Sequence, residues 1–367
     1  MTTAAPTSAP RGFQNVWLVA EREVGSKLRS RAFVISTAIT LLIALAAVIW
    51  GGFSAGNPSA TQVAVTSSTA AAVEKVPGVE VTQVADRDAA EALVRSGEVS
   101  AAVVDDASSP TGLVVIAEDS PPTALLMGLS ESPSVVLLDP ATVDFALRYF
   151  VSLGFGIVFL LAASLFGGTI AQSVVEEKQT RVVELLLSAM PARTLLAGKI
   201  IGNTILAMAQ ILLLATIAVV GLIVTGQSEV LQGLGAPIAW FAIFFLFGFV
   251  LLAALFAAAG SLVSRMEDIG STTAPLTMLI MAPYFLVIFF NDNPVVLTVM
   301  SYVPFSAPVG MPLRLYLGEA QWWEPILSLV ILIATCVAAI VLAAKIYERS
   351  ILRMGARVSW REALKTP

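Results

Sequence analysis

Histidine is absent from the 367 residues, and cysteine occurs once, at Cys336. A chain without histidine has no imidazole metal ligands and no His-based catalytic triad, and one cysteine allows neither a CxxC redox motif nor an intrachain disulfide. Charged residues are also scarce, at 13% of the chain against about 25% in an ordinary soluble domain. The net charge of −5 and the lack of a basic tract argue against nucleic acid as a partner. We therefore expect no catalytic residue, no metal site and no cofactor in this chain.

Long apolar runs dominate the sequence, which is 57% hydrophobic with a mean hydropathy of +0.86. A membrane-spanning helix needs about 20 apolar residues. Six charge-free stretches meet that length, at residues 32–53, 149–175, 200–226, 230–264, 269–290 and 325–344. In the fourth, proline favours the first turn of a helix, so we expect that helix to begin near Pro237. The pattern predicts an α-helical polytopic membrane protein with six transmembrane helices, of which 148–346 holds the last five.

The basic residues indicate the orientation. Sixteen of the 21 lie before the first stretch, between the second and third, between the fourth and fifth, and after the sixth. Basic residues stay on the cytoplasmic side, so we expect a multi-pass protein of a bacterial cell membrane with both termini in the cytoplasm. Residues 1–31 form a tail and an amphipathic helix, with apolar positions from Phe13 to Leu28 on one face. This helix lies at the membrane interface or is a solvated cytoplasmic helix, and residues 347–367 form a second cytoplasmic tail.

Residues 54–147 have a different composition and carry thirteen of the 26 acidic residues. Short Val-rich runs bounded by turn residues predict four strands, at 62–66, 79–85, 99–105 and 113–117. Residues 86–96 predict a helix capped by Asp86 or Asp88. We expect a small α/β or α+β extracytoplasmic domain inserted between helices one and two. The pairs at 105–106 and 118–119 are interpreted as solvated acidic residues rather than cation sites.

The loop at 174–199, VVEEKQTRVVELLLSAMPARTLLAGK, follows the second stretch. Glu177, Arg181 and Glu184 have the spacing of one helical face and could form ion pairs in series. A second face is apolar and comprises Val182, Leu185, Leu186 and Ala189. Ser188 and Pro191 would end this helix, and Thr194 would cap the next one. The pattern fits a helix that docks on another protein and fits equally a solvated loop helix that its charges keep out of lipid.

The motif E-E-K-x-x-R-x-x-E-x-L-L-x-S at 176–188, followed by L-x-x-G-K at 195–199, resembles the signature of the type-two ABC exporter permeases, particularly the branch with sodium-export permeases. Segments 22–33, 86–104 and 301–314 resemble, in the same order along the chain, that family's interfacial helix, external domain and last external segment. Where the family often has Ser-Pro-Val, this chain has Ser188, Ala189 and Met190.

The resemblance implies the permease subunit of an ABC exporter, whose coupling helix within 176–194 docks on a separate ABC ATPase. The residues that it assigns to docking are Glu176, Glu177, Lys178, Arg181, Glu184 and Ser188. The chain lacks the phosphate-loop motif G-x-x-x-x-G-K-[ST], so ATP and Mg²⁺ are expected on the partner. A second permease copy or a sister permease would complete the path, with Ala163 and Gly167, or Ala254 and Ala258, packing between chains or within one. Membrane lipid is the remaining partner.

Within the spans, Asn203 and Gln210 are candidates for a translocation path, for which the substrate could be sodium ions, a drug or a lipid. No charged residue lies well inside a span, whereas ion-coupled carriers place ionisable groups there, which argues against a self-contained secondary transporter. A membrane-anchored sensor with an extracytoplasmic ligand domain is a further alternative. Residues 293–313 contain three prolines and predict either a segment that dips into the membrane and returns or an external loop.

Overall fold

The computed structural model describes residues 11–353 except 57–60, 77, 107–108, 110–111, 118–122, 130–144 and 227, together with Glu362. The predicted tail before residue 11 and the acidic pair at 118–119 lie outside this part. The chain forms two compact units, one comprising Met1–Val48 with Ala141–Pro367 and the other Ile49–Pro140.

The elements are, in chain order, α1 Arg11–Arg29, α2 Arg31–Gly56, β1 Thr61–Val65, α3 Ala70–Val73, β2 Val79–Gln83, α4 Arg87–Ser96, β3 Ala101–Asp105, β4 Leu113–Ile116, α5 Thr123–Leu129, α6 Phe145–Gln179, α7 Val182–Ala189, α8 Ala192–Val224, α9 Ser228–Ser261, a 3-10 turn Met266–Asp268, α10 Ile269–Phe289, α11 Pro294–Tyr302, α12 Ala307–Tyr316 and α13 Glu324–Ser350.

Six of the described helices are long and apolar enough to cross a membrane, as the sequence predicted. Their bounds are Arg31–Ile49, Leu147–Gln179, Ala192–Val224, Val230–Ser261, Met266–Phe289 and Glu324–Ser350. The expected start of the fourth near Pro237 is wrong, because α9 begins at Ser228 and contains that proline. A proline is tolerated inside a membrane helix where neighbouring groups satisfy the freed carbonyl.

Helix α9 lies at the centre of the larger unit and packs against α6, α8, α12 and α13. A row of phenylalanines joins it to α6, with Phe241, Phe245 and Phe249 facing Phe155, Phe159 and Phe166. Aromatic pairs of this kind add about 0.5–1.5 kcal/mol beyond the area that they bury. Ala163, Ala254 and Ala258 are fully buried, and Gly167 lies against Phe256. The small-residue faces therefore pack within the chain, which was one of the two predicted alternatives.

The segment at 293–313 forms a helical hairpin, α11 followed by α12, rather than an irregular loop. Residues 307–314 are all buried, and Arg314 closes the hairpin from inside. Its guanidinium donates to Ser301 Oγ at 3.0 Å and forms an ion pair with Glu324 Oε2 at 2.8 Å. Short helices covered by protein meet the condition under which a broken segment can lie at membrane depth.

The smaller unit is an α/β fold with strand order β2-β1-β3-β4. β1 pairs in parallel with β2 and β3, and β4 adds an antiparallel edge. Helix α4 covers one face of the sheet through Ala90 and Val94, and α3 and α5 cover the other. Asp86 caps α4 by accepting from the Ala89 amide at 2.9 Å, so the predicted strands, helix and cap are confirmed.

Asp105 ends β3 and accepts hydrogen bonds from Thr66 Oγ1 at 3.1 Å and Ser68 Oγ at 2.9 Å. The bond from Ser68 is the first cause that lowers the pKa of this carboxyl. Arg87 lies 3.8 Å from Asp106, so both acidic residues have protein partners. Among the described residues, no cluster of Cys, Asp and Glu has the arrangement of a metal site.

Candidate functional site

The loop between the second and third spans has a turn in its middle. Helix α6 runs to Gln179, and Arg181 then adopts a left-handed conformation with φ 56° before α7 begins. The prediction of one helical face through Glu177, Arg181 and Glu184 is therefore wrong, because the turn at Arg181 places the two carboxylates on different helices. Pro191 occupies the N-cap position of α8, which leaves Thr194 inside the first turn rather than at the cap.

Helix α7 is half-buried. Val183 is fully buried, and Leu186, Leu187 and Met190 pack against the core of the bundle. Leu185 is 74% exposed, and Val182 and Ala189 of the same predicted apolar face are exposed with it. The exposed side of α7 and its N-cap, which we call the α7 face, comprises Arg181, Val182, Glu184, Leu185 and Ser188. This face combines apolar and charged groups on a short, anchored helix.

The last turn of α6 points Glu177 inward rather than toward a docking protein. Its Oε1 accepts from Arg22 of α1, and its Oε2 lies 3.0 Å from Nζ of Lys199 of α8. Lys199 is completely buried and also donates to Glu23 Oε1 at 2.8 Å and Ser173 Oγ at 2.7 Å. Two carboxylates and two cations thus form one closed network, which ties α1, α6 and α8 together.

The α1 members of this network, Arg22 and Glu23, were missed as site residues in the sequence. Burial by itself would raise the pKa of Glu23, but the charge and hydrogen bond of Lys199, aided by Arg22, hold it below its ordinary value. Glu23 is therefore a carboxylate at neutral pH. The sequence signal that could have revealed Glu23 is its position close to apolar residues of α1. In the structure, Val19, Ala20 and Glu23 are all buried against α8.

Two glycines of α8 allow α1 to approach closely. A Cβ at Gly202 would lie 2.8 Å from the backbone oxygen of Ala20, and one at Gly198 would lie 2.9 Å from that of Val16. Any larger residue would force the helices apart, so the Gly198 and Gly202 positions set the distance at which Glu23 meets Lys199. Phe13, Trp17 and Leu28 of α1 stay exposed, which agrees with an interfacial helix.

Lys178 is the second buried lysine, and it faces away from the surface. Its Nζ donates to the backbone oxygens of Ser261, the last residue of α9, at 2.7 Å and of Ser350, the last residue of α13, at 2.9 Å. The final carbonyls of a helix lack intrahelical partners and carry the negative end of its dipole, so one ammonium completes two helix ends. Its position does not support the docking role that the resemblance assigned to Lys178.

Asn203 and Gln210 lie on the buried side of α8, above Lys199. The amide of Asn203 donates to the Lys199 backbone oxygen at 2.9 Å. The side-chain oxygens of both residues are buried without a hydrogen-bond partner in the described part of the chain. Burying a hydrogen-bond acceptor without a partner costs free energy. This side of α8 is therefore a place where water or a polar solute would bind.

The geometry thus defines a class of protein: a multi-span helical membrane protein that displays a short helix on a base of buried ion pairs and capped helix ends. Residues 31–345 match the family described as "ABC-2 family transporter protein". The chain belongs to the ABC-2 transporter family, and it is a membrane component of transport, as the resemblance implied.

Two curated relatives match part of the chain. Uncharacterized protein YhaP of Bacillus subtilis (strain 168) is 30% identical over 210 residues, which are 54% of this chain and 50% of that protein. Uncharacterized protein MJ1024 of Methanocaldococcus jannaschii is 31% identical over 215 residues, which are 57% of this chain and 52% of that protein. The alignments therefore cover about half the length of these relatives.

Proposed function

We propose that this chain is the permease subunit of an ABC exporter and that a separate ABC ATPase, which holds ATP and Mg²⁺, docks on the α7 face. The observation that carries the proposal is the exposed Leu185 beside Glu184 on a helix whose opposite side is fixed to the bundle. Protein interfaces combine an apolar core with a polar rim, and this face offers both kinds of group. Of the predicted docking residues, Arg181, Glu184 and Ser188 lie on the α7 face and take this role, whereas Glu176 is exposed on the last turn of α6 outside that face.

Glu177 and Lys178 serve the coupling differently, as the base of α7. Glu177 contacts α1 and α8 through Arg22 and Lys199. Lys178 contacts the ends of α9 and α13. A displacement of α7 by the ATPase would therefore reach four other helices through two adjacent residues. Packed interfaces of this kind move between discrete arrangements rather than deform continuously.

The proposed topology places both termini in the cytoplasm and the α/β unit outside the cell, inserted between the first and second spans. A second copy of the chain, or a sister permease, completes the path. The apolar stretch of α2 supports this assembly, because none of its residues is buried within the chain. Asn203 and Gln210 would line the path, for sodium ions, a drug or a lipid.

The test is assembly of the purified full-length chain with an ABC ATPase, sought first in the adjacent reading frame. We expect a stable complex with measurable ATP hydrolysis. Leu185→Asp and Glu184→Lys should each raise its dissociation constant at least tenfold. Lys345→Glu is the matched control, since Lys345 is exposed on α13 away from the α7 face. Charge reversal at Glu177 is a poorer probe because it would place a third cation beside Lys199 and Arg22. Equal binding by all three variants would refute docking on the α7 face.

A further inference from the structure

A polar recess of about 280 Å³ opens between α1 and α6 at the end of the bundle that bears α7. Helix α1 contributes Arg22, Ser26 and Lys27 to its wall, and α6 contributes Gln172 and Glu176. The closed network of Arg22, Glu23, Glu177 and Lys199 forms its back wall. The coupling of α7 to the bundle does not require this space, so its lining needs a separate explanation.

Two opposite charges line the recess without meeting each other. Lys27 is half-buried, and its ammonium makes no hydrogen bond or ion pair to any residue that the structure describes. Glu176 faces the same space, and its carboxylate likewise has no partner among the described residues. Because the charges of Arg22, Glu23, Glu177 and Lys199 balance one another, the described residues that line the recess present one cation and one anion without a partner.

Burial is the main cause that lowers the pKa of Lys27, and the nearby Lys199 acts in the same direction, against the carboxylates of Glu23 and Glu176. An anion brought to Lys27 would therefore stabilise its charged form. Arg22 adds donors, because its two ion pairs use Nη2 alone. A ligand that carries an anion and an amine, a few ångströms apart, would satisfy Lys27 and Glu176 together.

The helices beside the recess expose apolar residues. Phe13, Trp17 and Leu28 are exposed on α1, and α2, which begins next to the end of α1, has an apolar stretch with no buried residue. Tryptophan is enriched at the level of lipid head groups, and a helix with such a face lies in that plane. The end of a membrane span beside an interfacial helix is where a head group meets the protein.

We infer that the recess binds the head group of an aminophospholipid, with the phosphate ester at Lys27 and Arg22 and the primary ammonium at Glu176. Gln172 and Ser26 supply further hydrogen bonds to the ester oxygens. The bound lipid would hold α1 against α6 independently of the ATPase. Lipid binding in the recess and ATPase docking on α7 are therefore tested independently of each other.

The experiment is native mass spectrometry of the full-length chain, extracted from nanodiscs that contain equal amounts of phosphatidylethanolamine, phosphatidylcholine and phosphatidylglycerol. We expect one phosphatidylethanolamine retained at least fivefold over either other lipid. Phosphatidylcholine lacks ammonium hydrogens for Glu176, and phosphatidylglycerol lacks the cation. Lys27→Gln should lower the retention of all three lipids at least fivefold, and Lys27→Arg should restore it, because every head group carries the phosphate. Glu176→Gln should abolish the preference for phosphatidylethanolamine. Arg29→Gln is the control, since Arg29 is exposed on the same helix outside the recess.

Equal retention of the three lipids by the unaltered chain would overturn the inference without any variant. So would unchanged lipid retention in Lys27→Gln together with an unchanged preference in Glu176→Gln. A thermal-shift experiment with O-phosphoethanolamine and inorganic phosphate distinguishes a lipid head group from a soluble phosphate ester as the ligand. Stabilisation by these soluble compounds without lipid retention would show a soluble phosphate ester in place of a lipid.

Discussion

At the scale of single residues, the most consequential feature is that Lys178 and Lys199 are both fully buried. Each has its charge compensated in a different way, Lys199 by carboxylates and Lys178 by helix-end carbonyls. An unpaired ammonium in such a place would be strongly disfavoured, so these partners decide where α6 and α8 can lie. The family resemblance assigned Lys178 to a docking surface, because a sequence motif does not show which way the last turn of α6 faces.

Replacing Lys199 should reveal the strength of the network. Lys199→Met leaves Glu23 and Glu177 buried with one cation fewer, so we expect a loss of stability of about 3–5 kcal/mol. The double variant Glu23→Gln with Lys199→Met should recover part of that loss, because no uncompensated charge remains at Glu23. Thermal unfolding in detergent, followed by tryptophan fluorescence, would measure both. A Lys199→Met chain as stable as the exposed-site control Lys345→Met would contradict the buried pairing.

Burial of the two lysines can be checked without any substitution. A membrane-permeant, amine-reactive reagent applied to the folded chain should modify the exposed Lys75 and Lys345 and leave Lys178 and Lys199 unmodified. After denaturation all four should react. Peptide mass spectrometry gives the extent at each site. Rapid labelling of Lys178 in the folded chain would restore the surface role that its sequence motif suggested.

At the scale of elements, the contact of α1 with α8 is the most extensive between any two helices that the structure describes. It depends on Gly198 and Gly202, whose missing side chains admit the backbone of α1. Helix α1, whose exposed apolar residues suit lipid contact, thus has a second face that is buried. The same logic of small residues operates between α6 and α9, where a Cβ at Gly260 would lie 2.7 Å from the Ala171 backbone oxygen.

Two glycine-to-alanine variants separate this contact from helix propensity. Gly202→Ala forces a backbone shift of α1, so we expect a destabilisation of about 1–3 kcal/mol from overpacking. Gly25→Ala is the matched control, because its Cβ would meet nothing within 4 Å. In a helix interior that change should stabilise by about 0.5–1 kcal/mol. Hydrogen exchange of the α1 amides should rise only in Gly202→Ala, and equal exchange in both would exclude the close approach.

The cap of α4 gives a local test within the α/β unit. Asp86→Ala removes the acceptor for the Ala89 amide, and we expect a loss of about 0.5–2 kcal/mol in the stability of this helix. Faster hydrogen exchange of the α4 amides in the full-length chain would register it. Glu98→Ala, at an exposed position after the helix, should leave the exchange unchanged. Unchanged exchange in Asp86→Ala would mean that packing on the sheet alone holds α4.

At the scale of the whole molecule, Lys178 in the last turn of α6, just before α7, contacts the ends of both α9 and α13, two helices that pack extensively against each other. In the complex with the ATPase, Lys178→Met should leave ATP hydrolysis active but uncouple it from the spans. Pulsed electron resonance between labels at Gln179 and Leu342, two exposed positions outside the α7 face, should show a nucleotide-dependent distance change in the unaltered chain and none in Lys178→Met. Lys178→Arg should retain it. An unaltered distance change in Lys178→Met would remove Lys178 from the coupling.

By itself the sequence determined that the chain is a six-span helical membrane protein with a capped α/β unit, because apolar length, Val-rich runs between turn residues and an Asp cap are local properties that neighbours along the chain specify. It also located the loop at 174–199 as the region of interest. Only the tertiary structure decided the break at Arg181, the inward direction of Glu177 and Lys178, and the pairing of Glu23 with Lys199. Those facts depend on contacts between residues up to 176 positions apart, and side-chain spacing on one helix carries no information about the helix that it meets.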